Sequence, residues 1–323
     1  MTVADPVADV PAPVASHDPQ IDFLLEVFPP FAVGVDGLPL LRDQIAALTP
    51  PFDLPPGVVR EEYFVPGLNG APDVRLLVWR PARLTRSAAI LHVHGGGTIV
   101  GSPEMGEARL VGLALETGCP VVSVDYRLAP ETVAPGNVED CYAALAWLHG
   151  RAAEMGFDPN RIAVLGESAG GLLAAGLALM ARDRGDHGIT WLGLVYPMLD
   201  DRTALDTRPG ATGRHVWTRE ANLFGWNCVL GGRCGQDDLP AYAVPARAER
   251  LAGLPPTFLA VGALDLFLEE DLAFAARLGR EAVPLELHVY PGAFHAFDLA
   301  AEADVTTRFQ RDLMDALRRG LGD

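Results

Sequence analysis

Short apolar segments alternate with helical segments along most of the chain, and this alternation restricts the fold more than any other feature. The apolar segments are 61–65, 74–79, 88–93, 121–124, 162–165, 192–196, 257–261 and 285–290. Segments with helical spacing follow most of them, at 107–116, 138–153, 169–182, 269–278 and 305–321. Short apolar strands separated by helices indicate a mainly parallel sheet that is covered on both faces. The sequence therefore predicts an α/β fold with eight strands flanked by helices.

Three regions depart from this alternation. Residues 1–20 are rich in proline and small residues and are expected to be a flexible leader. Residues 21–56 contain two apolar segments before a cluster of prolines, and residues 201–251 place Trp217, Phe224 and Trp226 among glycines and arginines. An insertion at the end of a sheet where loops converge is a natural lid. We therefore expect segments 21–56 and 201–251 to cap a catalytic core of 57–200 and 252–323. A packed surface insertion is the alternative for 201–251.

The charge balance excludes several functional classes. The chain has 42 acidic and 25 basic residues and a net charge of −17 at pH 7. Such a surface repels phosphate backbones and anionic lipids, so we expect no nucleic-acid partner. All basic residues are arginine. Without lysine, the chain can form neither a P-loop, nor a pyridoxal-phosphate Schiff base, nor a Ser–Lys hydrolase site.

The sequence carries no recognisable export or membrane signal. Residues 1–19 lack the basic and apolar regions of a signal peptide, and no segment approaches the length of a membrane span. The cysteines form no C-x-x-C pair. Cys228 and Cys234 could bridge in a secreted protein, but reduced thiols are the favoured interpretation. We expect a cytoplasmic location and no membrane insertion.

Ser168 is the only serine of the chain in a G-x-S-x-G motif, which reads Gly166-Glu167-Ser168-Ala169-Gly170. With five serines and 34 glycines in the chain, only about 0.05 accidental matches are expected. The apolar segment 162–165 precedes the motif and a helical segment follows it. A strand–turn–helix of this kind holds a strained nucleophile, and the helix N-terminus favours a developing oxyanion. Ser168 is therefore the candidate nucleophile.

A run of glycines follows the segment 88–93, in His94-Gly95-Gly96-Gly97. Glycines let backbone N–H groups turn inward because they have no Cβ, and loops of this type supply oxyanion-hole donors. We assign the oxyanion hole to the N–H groups of Gly96, Gly97 and Ala169. A phosphate-binding loop is the alternative, but neither lysine nor G-x-G-x-x-G accompanies these glycines. His94 is expected to anchor the loop and not to act as a base.

A serine hydroxyl needs a general base, and His295 is the best placed of the eight histidines. It lies in the loop directly after the segment 285–290, at the sheet edge where α/β sites assemble. The nearest rival is His288, which we interpret as a strand-face residue because it falls inside that segment.

A carboxylate between the nucleophile and the base in chain order completes such a triad. Asp265 is the first carboxylate after the segment 257–261. Its alternative role is helix capping, because Glu269 and Glu270 follow it, and both roles could hold. Asp200 and Asp201 follow the preceding strand and could serve only in a different topology.

In their order along the chain, these motifs resemble those of the hormone-sensitive-lipase group of α/β-hydrolases, and especially its bacterial esterases. The resemblance runs from about residue 60 to the C-terminus. It rests on HGGG at 94–97, YRLAPE at 126–131, GESAGG at 166–171, Asp265 with Glu270, and Pro291-Gly292 followed by His295 and Phe297. It implies an α/β-hydrolase fold with a helical cap. It also implies that the substrates are esters with short to medium acyl chains.

Some positions depart from the family pattern. Thr98 stands where the family usually has an aromatic residue, and Glu167 replaces the commoner Asp or Thr. Leu266 and Leu268 replace the usual Pro and Arg after the acid. No triad member is affected, but Thr98 and the cap leave the substrate preference open. The residues that we expect to contact substrate are Thr98, Trp217, Trp226 and Phe297.

The expected reaction is a two-step acyl transfer by Ser168, His295 and Asp265 that needs neither cofactor nor metal. The same triad acting as a lactonase, an amidase or deacetylase, or an acyltransferase is the first alternative. A non-catalytic small-molecule binding protein on a hydrolase scaffold is a remote one, since the family's receptors lose the histidine that is present here. The expected partner is a small-molecule ester, and an exposed last strand would also allow a homodimer.

Overall fold

The computed structural model describes residues 16–28, 34–49 and 51–322. The predicted flexible leader, residues 1–20, lies outside these ranges except for its last residues, 16–20. These residues are structured: the backbone N–H of Asp18 donates to the carbonyl oxygen of Gly292 over 3.0 Å. The Gln20 side chain also bonds both the backbone N–H and the side chain of Asp304. The end of the leader is thus attached to the loop that carries His295.

An eight-stranded sheet forms the centre of the protein. Its strands are β1 Val58–Val65, β2 Val74–Pro81, β3 Ala89–Val93, β4 Val121–Asp125, β5 Ile162–Glu167, β6 Trp191–Val195, β7 Thr257–Gly262 and β8 Leu285–Tyr290. Their order across the sheet is β1-β2-β4-β3-β5-β6-β7-β8. Strand β2 runs antiparallel to both neighbours, and all other neighbouring pairs are parallel. The predicted eight-stranded, mostly parallel sheet is confirmed.

Helices flank this sheet. In the described ranges they are α1 Leu24–Val27, α2 Leu38–Ala47, α3 Glu107–Thr117, α4 Gly136–Met155, α5 Ala169–Arg184, α6 Arg219–Val229, α7 Leu268–Arg280 and α8 Asp304–Leu321. Strands β3, β5, β6 and β7 are buried at every residue, which requires cover on both faces of the sheet. The sequence pattern misses α6, because Asn222 and Gly225 interrupt its apolar residues.

The strand order reverses around β3, which has β4 on one side and β5 on the other. The chain therefore leaves β3 and β5 at a topological switch point, where ligand crevices form in open α/β sheets. The glycine loop at 94–97 follows β3, and Ser168 follows β5. The fold thus places both segments at the same edge of the sheet.

Ion pairs and hydrogen bonds attach both segments that are expected to form a cap. Arg42 of α2 donates to the carbonyl oxygens of Ile99 and Ala129 and pairs with Glu131. The 201–251 insertion is closed at its base by an ion pair over 2.8 Å between the fully buried Asp201 and Arg247. A cap function for these segments stays a prediction.

Within the described residues, every helix is too short or too polar to cross a lipid bilayer. All four cysteines are free thiols, and three of them are buried. The cytoplasmic location and the homodimer stay predictions.

Candidate active site

Ser168 occupies the sharp turn between β5 and α5. Its backbone has φ 56° and ψ −120°, a conformation that residues with a side chain adopt only under strain. The turn leaves no room for a larger neighbour, because a Cβ on Gly166 would approach the carbonyl oxygen of Gly170 to 2.2 Å. Gly166 is therefore required by the turn, which in folds of this type places the serine at the top of the sheet.

The side chains of Ser168, His295 and Asp265 form one hydrogen-bonded chain. Ser168 Oγ lies 2.9 Å from His295 Nε2, and His295 Nδ1 lies 2.9 Å from Asp265 Oδ2. The three residues are only 6%, 5% and 1% exposed. The structure brings together the three residues that the sequence selects. It presents a hydroxyl, an imidazole that can accept its proton, and a carboxylate that can fix the imidazole tautomer.

Asp265 uses its two oxygens for different partners. Oδ1 accepts the backbone N–H of Phe267 over 3.0 Å, while Oδ2 faces His295. The Oδ1 contact closes a turn just before α7, whose N-cap residue is Phe267 and has no side-chain cap, so Asp265 is not the helix cap. Its place in a catalytic triad stays a prediction. The alternative carboxylates, Asp200 and Asp201, are paired with arginines of the insertion.

Two other histidines considered from the sequence have different partners. His288 Nε2 lies 2.9 Å from Glu286 Oε1 on β8. His94 stacks on Tyr126, with ring centroids 4.3 Å apart, and its Nδ1 lies 2.8 Å from the carbonyl oxygen of Gly95. Burial lowers the pKa of His94 to about 4, so the ring is neutral, as suits a loop anchor. Within the described part of the chain, no three His, Cys, Asp or Glu side chains are grouped to hold a metal ion.

The glycine loop abuts the nucleophile turn. A Cβ on Gly95 would lie 3.5 Å from Ser168 Cβ. Gly96 and Gly97 have φ values of 114° and 59°, in the region that favours glycine. Ala169 begins α5, where backbone N–H groups have no partner within the helix. The three assigned donors therefore belong to the two backbone segments that meet at Ser168, and their shared oxyanion hole stays a prediction.

Trp217 is the expected substrate contact with a clear place beside the triad. Its ring centroid lies 6.2 Å from that of His295. The indole also covers the glycine loop, because a Cβ on Gly97 would come within 2.3 Å of Trp217 Cη2. The indole N–H donates to Asn222 Oδ1 over 3.2 Å. Trp217 therefore links the insertion to both the base and the expected oxyanion hole.

The other three expected contacts are deeply buried. Thr98, Trp226 and Phe297 are each 0% exposed. The Phe297 ring packs against Tyr290 and Phe309, with centroids 5.5 and 5.4 Å away. Contact of these three residues with substrate stays a prediction.

Two aromatic residues beside His295 were not singled out by the sequence. The ring of Tyr196 lies 4.6 Å from the His295 ring, and the ring of Phe267 meets it edge-on at 5.3 Å. Tyr196 directly follows β6, and Phe267 lies two residues after Asp265. A position just past the carboxyl end of a parallel strand is the signal that could have identified Tyr196, while for Phe267 the signal is its closeness to Asp265 in the chain.

Comparison with known proteins agrees with this architecture. A family model described as alpha/beta hydrolase fold matches residues 90–299. Carboxylesterase NlhH of Mycobacterium tuberculosis is 32% identical over 283 residues, which cover 87% of this chain and 88% of that protein. A bacterial heroin esterase structure has a TM-score of 0.88 and 38% identity, covering 95% of this chain and 99% of its own. Esterase LipW of Mycobacterium marinum has a TM-score of 0.82 and 31% identity, with coverages of 97% and 98%.

The family match includes the glycine loop, the nucleophile turn and the loop of His295, and the relatives extend it over most of the chain. The resemblance drawn from the motifs is confirmed. The chain belongs to the α/β-hydrolase fold family, and within it to the hormone-sensitive-lipase-like group of bacterial esterases.

Proposed function

We propose that this serine carboxylester hydrolase cleaves short- to medium-chain carboxylic esters through an acyl-enzyme on Ser168. The observation that carries the proposal is the hydrogen-bonded chain from Ser168 Oγ through His295 to Asp265, with 2.9 Å at each contact. Relatives named carboxylesterase and esterase support an ester as the substrate.

In the acylation step, His295 Nε2 takes the proton of Ser168 as Oγ attacks the ester carbonyl carbon. Asp265 holds the other imidazole proton on Nδ1, so Nε2 is free to accept, and its charge stabilises the imidazolium that forms. The tetrahedral intermediate then breaks its bond to the leaving oxygen, which takes the proton from His295. The products of this step are the free alcohol and an ester on Ser168.

The negative charge of the intermediate develops on the former carbonyl oxygen. The N–H groups of Gly96, Gly97 and Ala169 would stabilise it, and each donor of this kind is worth about 100- to 1000-fold in rate. Water then repeats the sequence: His295 removes its proton, the hydroxide oxygen attacks the acyl carbon, and Ser168 leaves with the proton returned.

Labelling with an organophosphonate tests this proposal, because such reagents mimic the charge and shape of the intermediate. We expect mass spectrometry to locate a single phosphonyl adduct on Ser168. A panel of p-nitrophenyl esters from acetate to octanoate, with matched amides and lactones, should show the highest kcat/KM for esters. Higher kcat/KM for amides or lactones would favour the alternative activities, and absence of any adduct would contradict an activated serine.

The position of Trp217 predicts that it limits the size of the acyl group. Its indole fills the space beside Gly97 and faces His295, so a long acyl chain has to displace it. We expect Trp217→Leu to raise kcat/KM for octanoate relative to acetate by roughly 10-fold. This is about the smallest difference in kcat/KM that one methylene group makes in an apolar pocket.

Trp147→Leu is the matched control. Trp147 lies on α4 and packs against Tyr63 of β1, away from the triad. Its replacement should leave the octanoate-to-acetate ratio unchanged. An unchanged ratio in Trp217→Leu would remove Trp217 from the acyl site.

A further inference from the structure

A buried polar network lies directly beneath the nucleophile turn. Glu167, the residue before Ser168, is 4% exposed. Its Oε2 lies 2.8 Å from His92 Nε2, and its Oε1 accepts from Arg109 Nη2 over 2.7 Å. A buried charge needs both a partner and hydrogen bonds to be tolerated, and this carboxylate has them. The turn that presents the nucleophile is therefore held from below by charged contacts.

The same guanidinium reaches a second carboxylate on the loop of the base. Arg109 Nη1 donates to Asp298 Oδ2 over 3.2 Å, and Asp298 comes three residues after His295. Glu167 and Asp298 are far apart in the chain, yet one planar fork of donors binds both. Arginine is suited to this task, because its donors are fixed in direction and it stays charged.

Tyr196 forms a second connection between Asp298 and the loop that carries His295. The Tyr196 hydroxyl donates to Asp298 Oδ1, and its ring lies 4.6 Å from the ring of His295. Tyr196 is 4% exposed, so its ring forms part of the wall against which the imidazole rests. A shift of Asp298 would therefore move both the loop and this wall.

The pKa shifts of Glu167 and Arg109 agree with an anion and a cation held in contact. Burial raises the pKa of Glu167, but Arg109 and His92 outweigh burial and lower it to about 2. Glu167 is thus an anion at neutral pH. Burial tends to lower the pKa of Arg109, but the two carboxylates outweigh this and raise it. Loss of the guanidinium would leave Glu167 charged, buried and opposite Asp298 without a cation between them.

We propose that Arg109 is a positioning residue that ties the nucleophile turn to the loop of the base and so keeps Ser168 Oγ within hydrogen-bond distance of His295 Nε2. The inference rests on the proposed function, since it concerns the reactivity of the same serine. Arg109 touches neither member of the pair. It acts through Glu167 on one side and through Asp298 and Tyr196 on the other.

The proposal predicts a loss of turnover without a matching loss of substrate affinity. A misplacement of about 1 Å between reacting groups costs about 100-fold in rate. For Arg109→Met we expect kcat per active site to fall by roughly 10- to 100-fold, while KM changes little because no substrate contact is removed. The rate of phosphonylation of Ser168 should fall by a similar factor, since it depends on the same serine–imidazole geometry.

The measurement is kcat per titrated active site, so that misfolded protein does not enter the result. Arg109→Met leaves Glu167 and Asp298 without their shared cation and is expected to lose stability, and the titration counts only the fraction that folds. Arg109→Lys keeps the charge but loses the fork, and its kcat should lie between those of the wild type and Arg109→Met. It also serves as the test if the methionine variant fails to fold.

Arg75→Met is the matched control, because Arg75 also joins several carboxylates. It pairs with Glu62, Glu104 and Asp125, around β2 and not around the triad. This variant should lose stability but keep the kcat of the wild type per titrated site.

Two outcomes overturn the inference. One is a kcat for Arg109→Met equal to that of Arg75→Met, and the other is a wild-type kcat for Arg109→Lys. Either result leaves the proposed function intact as long as the phosphonate labels Ser168. Absence of that label would instead refute the proposed function itself.

Discussion

Replacing Ser168 with alanine should lower kcat for p-nitrophenyl acetate by about 10⁶-fold, the loss typical of removing a triad serine. The acyl-enzyme cannot form without Oγ, and the rate that remains comes only from substrate binding and the oxyanion-hole donors. The chain should still fold, because alanine removes a single atom from a residue whose backbone contacts, to Val195 and Met198, are unchanged.

The measurement combines steady-state hydrolysis with a thermal unfolding curve. Ser87→Ala, at an exposed position, is the control and should behave like the wild type in both. Ester cleavage by Ser168→Ala at more than about a hundredth of the wild-type rate would identify another nucleophile, since that rate is far above the residual expected after loss of a triad serine.

Replacing Asp265 with asparagine should lower kcat by about 10⁴-fold, the effect of the same change in other Ser-His-Asp enzymes. Oδ1 of residue 265 accepts the backbone N–H of Phe267, so an asparagine keeps its oxygen there and turns its NH₂ group towards His295. The imidazole then has to accept a hydrogen bond from this NH₂ group at Nδ1 and carry its own proton on Nε2. In that tautomer Nε2 cannot take the proton of Ser168.

This prediction separates the carboxylate's charge from its structural contact, because asparagine preserves the hydrogen bond to the Phe267 N–H in the turn before α7. The unfolding temperature should therefore change little while kcat collapses. Asp200→Asn is the control: Asp200 follows the preceding strand and pairs with Arg202, and its variant should keep kcat. A wild-type kcat for Asp265→Asn would leave Asp265 with only its structural role.

Local sequence signals were sufficient to predict the sheet and to select three side chains that the fold brings into one hydrogen-bonded chain. A buried strand such as β5 is apolar at nearly every position, and the glycines of its following turn are imposed by steric contact at Gly166. The order of motifs along the chain then selected His295 and Asp265. In each case the information lies within a few neighbouring residues or in their order.

Contacts between segments that are far apart in the chain could not be predicted from local sequence signals. Arg109 is one arginine among 25 basic residues, and nothing in α3 indicates that it faces Glu167 and Asp298. Helix α6 was missed because its buried face includes Asn222 and Gly225, which interrupt the apolar pattern. The departure at Glu167 was visible in the sequence, but its partners became apparent only from the fold.

The ion pair between Asp201 and Arg247 has a consequence for how this protein can evolve. It brings the two ends of the insertion together, so the segment leaves the core and re-enters it at one place. A segment with neighbouring ends can lengthen, shorten or be exchanged without displacing the strands that bear the chemistry. We therefore expect changes of length within residues 201–251 to leave the strands that precede Ser168, Asp265 and His295 in place, provided that the contacts of Trp217 with His295 and Gly97 are kept.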